Sequence, residues 1–166
     1  MRKTIDALEA SGELLRVKRE VDPLFELAAV TKAVQNGSNE TVLFESVKGS
    51  RFPVATNIYN NRQRLCRFVG TGPDDFCPRW NDLHEQTPGR LGIETKIIDR
   101  PADLVDVNIS DLPLVTYHER DAGPYFTSAL FLAKHPDTGI ENLSFHRAMY
   151  VSDDELRIRL GSTHDL

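Results

Sequence analysis

A chain of 166 residues with 40% hydrophobic and 27% charged side chains has room for one globular domain, or one domain and the start of a second, and excludes a multidomain enzyme. Its 25 acidic against 20 basic side chains give a net charge of −5, which argues against the clustered basic footprint of a nucleic-acid binder. Two cysteines outside any CxxC pair, no run near the roughly 18 apolar residues of a membrane span, and no signal-peptide core predict a soluble, untargeted, cytoplasmic protein with reduced thiols and no membrane partner.

Thr4 is placed to cap a short helix through Ile5 and Leu8 that stops at Gly12, and "ELLRV" then reads as a strand. Asp22 as N-cap and Pro23 as first helical residue predict a second helix with Leu24, Leu27, Ala28 and Val34 on one face, ending near Asn36 and Gly37. The β-rich runs "TVLFE" and "FPVATNI" flank the loop "SVKGSR" and predict strand, turn and strand. Helical spacing of Phe76, Trp80 and Leu83 predicts a helix over 74–86, with Pro78 tolerated near its first turn. The extended stretch around Pro101 and Pro113 carries no long helical pattern, so a domain boundary is placed near Val105. Beyond it "YFTSALFLAK", "NLSFHRAMYV" and "LRIRLGS", separated by turns at "HPDTG" and "SDDE", predict a three-strand meander. A meander alone is marginal and needs its apolar face covered.

Several candidate motifs have plain structural explanations. "GTGPDD" at 70–75 is neither GxxxxGK[ST] nor GxGxxG, and Pro73 lacks a donor, so it reads as a turn. No GxSxG elbow supports hydrolase chemistry. Glu119 and Asp121 can serve as acid and base, but charge beside Gly123 and Pro124 is also the composition of a solvated loop. The segment "ENLSFHRAMY" differs, because Asn142, Ser144, His146 and Arg147 interrupt an apolar strand and each must find a partner or face a cleft. A turn near Asp153 pairs residues whose numbers sum to about 306 and sets Asn142 opposite His164, two plausible ligands for Mn²⁺ or Mg²⁺ that still need a carboxylate. A turn centred half a residue later moves His164 opposite Leu143. Strict alternation separates Asn142 from Arg147, so a shared site requires a bulge or an irregular start at Asn142; otherwise Arg147 is a surface arginine.

At these residues the chain resembles the UbiD-type decarboxylases, which use prenylated FMN for reversible, non-oxidative decarboxylation of aromatic and α,β-unsaturated acids. The likeness runs from "DALEASGELLRVKREVDPLFELAAVTKAV" through "TVLFESVKGSRFPVATNIYNN" to "DLPLVTYHERDAGPYFTSALFLAKHPDTGIENLSFHRAMYV". It implies an α+β fold: an N-terminal α/β domain over 1–105, then the first strands of a split β-barrel flavin-binding domain over 106–166. It further implies that Asn142 and His164 bind a divalent metal, that Ser144, Phe145, His146 and Thr163 line prenylated FMN, and that Arg147 lies beside the ring, pairs with an acidic residue and contacts the substrate carboxylate. Family members are longer. The third metal ligand, the acidic catalytic residues and a C-terminal portion are therefore expected beyond this segment or on a partner chain, with a homo-oligomer when complete and no activity from this segment alone. The rival reading is a non-catalytic assembly module that pairs through an open sheet edge; a third is a small flavin- or metal-binding domain without decarboxylase chemistry.

Overall fold

The computed structural model describes residues 2–85 and 107–160. Helix α1 (Arg2–Ala10) gives way at Gly12, whose φ of 71° is the left-handed conformation that a missing Cβ permits. Thr4 does not cap this helix. A start at Arg2 puts Thr4 inside the first turn, among the residues whose N–H groups a cap would serve.

Strand β1 (Leu14–Val21) pairs in parallel with β2 (Thr41–Val47) across helix α2 (Glu26–Asn36), and β3 (Val54–Thr56) closes antiparallel on β2. The expected strand, turn and strand about the Gly49 loop are therefore present. Helix α2 starts later than the sequence suggests. Asp22 Oδ1 does accept the Leu24 N–H at 2.9 Å, and Glu26 Oε2 accepts the Asp22 N–H at 2.8 Å. However, Phe25 takes a φ of 69° and donates its N–H to the Thr116 carbonyl, so residues 23–25 form a turn tied to a distant segment. Leu24 is consequently exposed, and Leu27, Val30 and Val34 form the packed face in place of the predicted set.

The core gathers Val21, Leu27, Val42, Phe44, Val47 and Val115. Burial of side chains such as Leu27 and Phe44 contributes about 1.5–3 kcal/mol each. Helix α3 (Arg62–Val69) was not expected from the sequence. Asn61 caps it by accepting from the Gln63 and Arg64 N–H groups, and Gly70 ends it in the left-handed region. The "GTGPDD" segment is the link to helix α4 (Phe76–Glu85), as its turn composition indicates.

The second sheet is the predicted meander: β4 (Tyr125–Lys134), β5 (Glu141–Ser152) and β6 (Glu155–Ile158), antiparallel and in that order. One segment joins it to the first core. Val115 is buried there, its carbonyl accepts the Tyr125 N–H at 2.9 Å, and the Pro124 carbonyl accepts the Tyr150 N–H at 3.0 Å. The architecture is α+β with two small open sheets. The expected boundary near Val105 lies outside the described residues, among which no helix is long and apolar enough to cross a membrane.

Candidate functional site

Strand β5 carries the residues that the sequence singled out. Regular pairing with β4 from Lys134↔Glu141 to Ala129↔His146 fixes the alternation. Asn142, Ser144 and His146 share the half-buried face, while Leu143, Phe145 and Arg147 occupy the other. On the first face Ser144 Oγ and His146 Nε2 share a hydrogen bond of 2.9 Å, and the His146 ring meets Phe131 edge-on at 5.9 Å. The expected cofactor residues are thus divided: Phe145 and Arg147 project opposite to Asn142, Ser144 and His146.

A bulge lies opposite Arg147 on the neighbouring strand β4, while β5 alternates without interruption from Glu141 to Ala148, so Asn142 and Arg147 stay on opposite faces. The ladder passes from Phe126↔Ala148 to Ala129↔His146, leaving Thr127 and Ser128 of β4 opposite the single residue Arg147. Such an insertion bends the strand and re-aims side chains. Tyr117, packed on the first core, holds the bulge through its hydroxyl, 3.2 Å from Thr127 Oγ1. The Arg147 guanidinium lies over the Tyr125 ring, 4.3 Å from its centroid. Among the described residues Arg147 has no carboxylate partner within ion-pair distance.

The β5–β6 hairpin turns through Asp153 and Asp154, where Ser152↔Glu155 sums to 307; an irregularity between Tyr150 and Ser152 then returns Ala148↔Ile158, Met149↔Arg157 and Tyr150↔Leu156 to the expected 306. Asp153 Oδ1 accepts the Ser110 N–H at 2.8 Å and the Tyr150 hydroxyl at 3.3 Å. Hydrogen bonds from the Ser110 side chain and backbone hold the Asp153 carboxyl below its ordinary range, and burial pushes the Tyr150 hydroxyl upward. Thr163 and His164 lie outside the described residues, and so does their pairing with Asn142. Among the described residues no three His, Cys, Asp or Glu side chains gather as a metal site. Glu119 and Asp121 sit in a loop where Asp121 Oδ2 accepts the His118 N–H at 3.1 Å, the bland arrangement of the two considered.

Sequence reasoning missed Tyr125 and Tyr117. Their signal is slight, an aromatic at the mouth of a strand after Gly123 and Pro124 and another before the loop. It also missed Arg64, which is 1% exposed and bonded to Glu13, Asn60 and the carbonyls of Asn57 and Ile58. A separate apolar groove of about 440 Å³ lies between α1, α3 and α4, lined by Thr4, Tyr59, Leu65, Phe68, Phe76 and Trp80.

Comparison with known proteins follows this geometry. Residues 5–83 match the model of the 3-octaprenyl-4-hydroxybenzoate carboxy-lyase N-terminal domain, and residues 98–166 match that of its Rift-related domain. An anhydromevalonate phosphate decarboxylase of Methanothermobacter thermautotrophicus is 30% identical over 166 residues, covering 99% of this chain and 37% of the relative. The structure of the UbiD-class enzyme HmfF from Pelotomaculum thermopropionicum in complex with FMN superposes with a TM-score of 0.77 at 34% identity, over 98% of this chain and 37% of that one. The closed form of Sedimentibacter hydroxybenzoicus vanillic acid decarboxylase gives a TM-score of 0.82 at 27% identity, over 99% and 37%. The chain therefore spans little more than a third of each of these three relatives.

Proposed function

The chain belongs to the UbiD carboxy-lyase family, and from that membership we propose that it forms the N-terminal portion of an enzyme for reversible, non-oxidative decarboxylation of an aromatic or α,β-unsaturated carboxylic acid. The observation that carries this reading is Arg147 at the β4 bulge, a fixed positive charge with no carboxylate partner among the described residues. A guanidinium keeps its charge at any physiological pH and its planar fork matches a carboxylate. Arg147 binds and orients the substrate carboxylate so that the bond to be broken is held in one geometry.

The cofactor proposed for the complete enzyme is prenylated FMN with Mn²⁺ or Mg²⁺. The polar row Asn142, Ser144 and His146 on a half-buried face beside Phe131 suits a ligand that is aromatic at one end and anionic at the other. Thr163 is proposed to join this lining, whereas Phe145 and Arg147, on the opposite face of β5, are proposed to reach the ligand only from that side. The metal is less well served: Asn142 is a neutral donor and no described carboxylate joins it, so His164 and an acidic ligand from another part of the protein would complete the set. When bound, the flavin supplies an electron-accepting ring that stabilises charge left behind as CO₂ departs. In the first sheets of a split barrel the residues of this chain bind, orient and exclude water. The carboxylic acid substrate and a C-terminal portion or partner chain, in a homo-oligomer, complete the proposed assembly, and the segment alone is proposed to be inactive.

The test uses the complete polypeptide carrying this segment, loaded with prenylated FMN and Mn²⁺ and assayed for CO₂ release from a panel of aromatic and acrylic acids. Arg147→Ala should reduce kcat/KM by about 10²-fold or more, the scale of a lost orienting contact. An unchanged value would remove Arg147 from the reaction. A second reading, an assembly module, is favoured by one observation: Leu130, Leu132, Leu143 and Phe145 are 57–73% exposed on one face of the second sheet. CO₂ release that depends on Arg147 would set that reading aside.

A further inference from the structure

Arg147 stands on the exposed face of β5, where a long side chain samples many rotamers unless something holds it. Tyr125 is the described group against it, with its ring centroid 4.3 Å from the guanidinium carbon. We infer that Tyr125 is a positioning residue for Arg147, holding the guanidinium on its ring so that the N–H donors face the substrate carboxylate. This rests on the reading of Arg147 as the carboxylate-binding group.

Three observations beyond that distance support it. The peptide unit that leads into Tyr125 is held on both sides: the Tyr125 N–H donates to the carbonyl of buried Val115, and the Pro124 carbonyl accepts the Tyr150 N–H. Its ladder partner is Met149, two residues beyond Arg147 on the same strand face, the diagonal from which an aromatic ring reaches its neighbour. The bulge opposite Arg147 is itself fixed, through Thr127 and Tyr117. A ring face attracts the cation by its quadrupole and takes none of its five N–H donors, which stay available to the substrate carboxylate and to the acidic partner that the family resemblance implies. The arginine is pre-organised and still free to bind.

The experiment compares the unmodified chain with Tyr125→Phe, which keeps the ring, and Tyr125→Leu, which removes it, using benzoate as probe. In ¹⁵N-labelled protein, with the Arg147 Nε–Hε resonance assigned by Arg147→Lys, a ring-current upfield shift is expected in the unmodified chain. Tyr125→Phe should retain it and Tyr125→Leu should lose it, with benzoate binding weakened about two- to fivefold in the leucine variant alone. An Arg147 resonance unmoved by Tyr125→Leu would overturn the inference. If that variant fails to fold, nuclear Overhauser contacts between the Tyr125 ring and Arg147 Hδ in the unmodified chain decide instead: their presence supports it and their absence overturns it. Benzoate that leaves Arg147 undisturbed in the unmodified chain would defeat the carboxylate reading, while the ring-current comparison still decides whether Tyr125 holds the side chain.

Discussion

Arg64 gathers a carboxylate, a side-chain amide and three carbonyls around a guanidinium that water does not reach. Its value lies in being complete: the arginine holds the chain reversal after β3, and its removal leaves buried acceptors and Glu13 short of a partner. Arg64→Ala should cost about 3–5 kcal/mol in urea unfolding, with Arg64→Lys recovering only part of it because an ammonium cannot fork. Glu13 adds a pH dependence. Arg67 holds its carboxyl below the ordinary 4.5, as Arg16 does for Glu9 and Lys48 does for Asp22 from its ordinary 3.8. Depressed folded values mean that the unfolded chain binds protons more readily. The stabilisation is therefore present above the ordinary carboxylate range and is lost as pH falls through the folded values. The urea midpoint should drop between about pH 6 and pH 3, and Glu13→Gln should flatten the fall.

Among the elements, the three strands of the second sheet were legible because period-2 alternation and turn residues agree there, whereas the register sum of 306 arises from an irregularity between Tyr150 and Ser152 that offsets a turn centred half a residue later. Helix α3 was not legible, since its fully buried side chains are Arg64 and Cys66 and its apolar stripe of Leu65, Phe68 and Val69 spans little more than one turn. The cap residues Asn61 and Gly70 were the other signal, which closer attention to helix ends would have found. Asn61→Ala should therefore lower stability by about 1 kcal/mol in chemical denaturation, a change that Asn61→Ser should largely avoid. The start of α2 was misread for a different reason: the Asp22 turn exists, but the contact of Phe25 with Thr116 overrides it, and a pairing across some 90 residues leaves no trace in local sequence. The division of the site residues between two faces was readable from alternation. The β4 bulge opposite Arg147 was not, because Thr127 and Ser128 interrupt no pattern in β5 and nothing in their own sequence marks an insertion.

For the molecule as a whole, the decisive feature is the uncovered side of the second sheet. Leu130 faces Phe145 and Leu132 faces Leu143 across the β4–β5 ladder, all well exposed. A contiguous apolar patch of this kind promotes association. The 166-residue chain should sediment as a concentration-dependent mixture, and Leu130→Lys combined with Leu132→Lys should shift it toward monomer without disturbing the first core. Sharp monomeric behaviour of the unmodified chain would contradict this. The two turns of that sheet also differ in what they are tied to. The 135–139 turn is closed by its own bonds, His135 N–H to the Ile140 carbonyl and Gly139 N–H to the His135 carbonyl, whereas Asp153 reaches out to Ser110. A fluorescent reporter grafted into the first would ride on the protein as a passenger; grafted into the second, it would cut the moorings between hairpin and body.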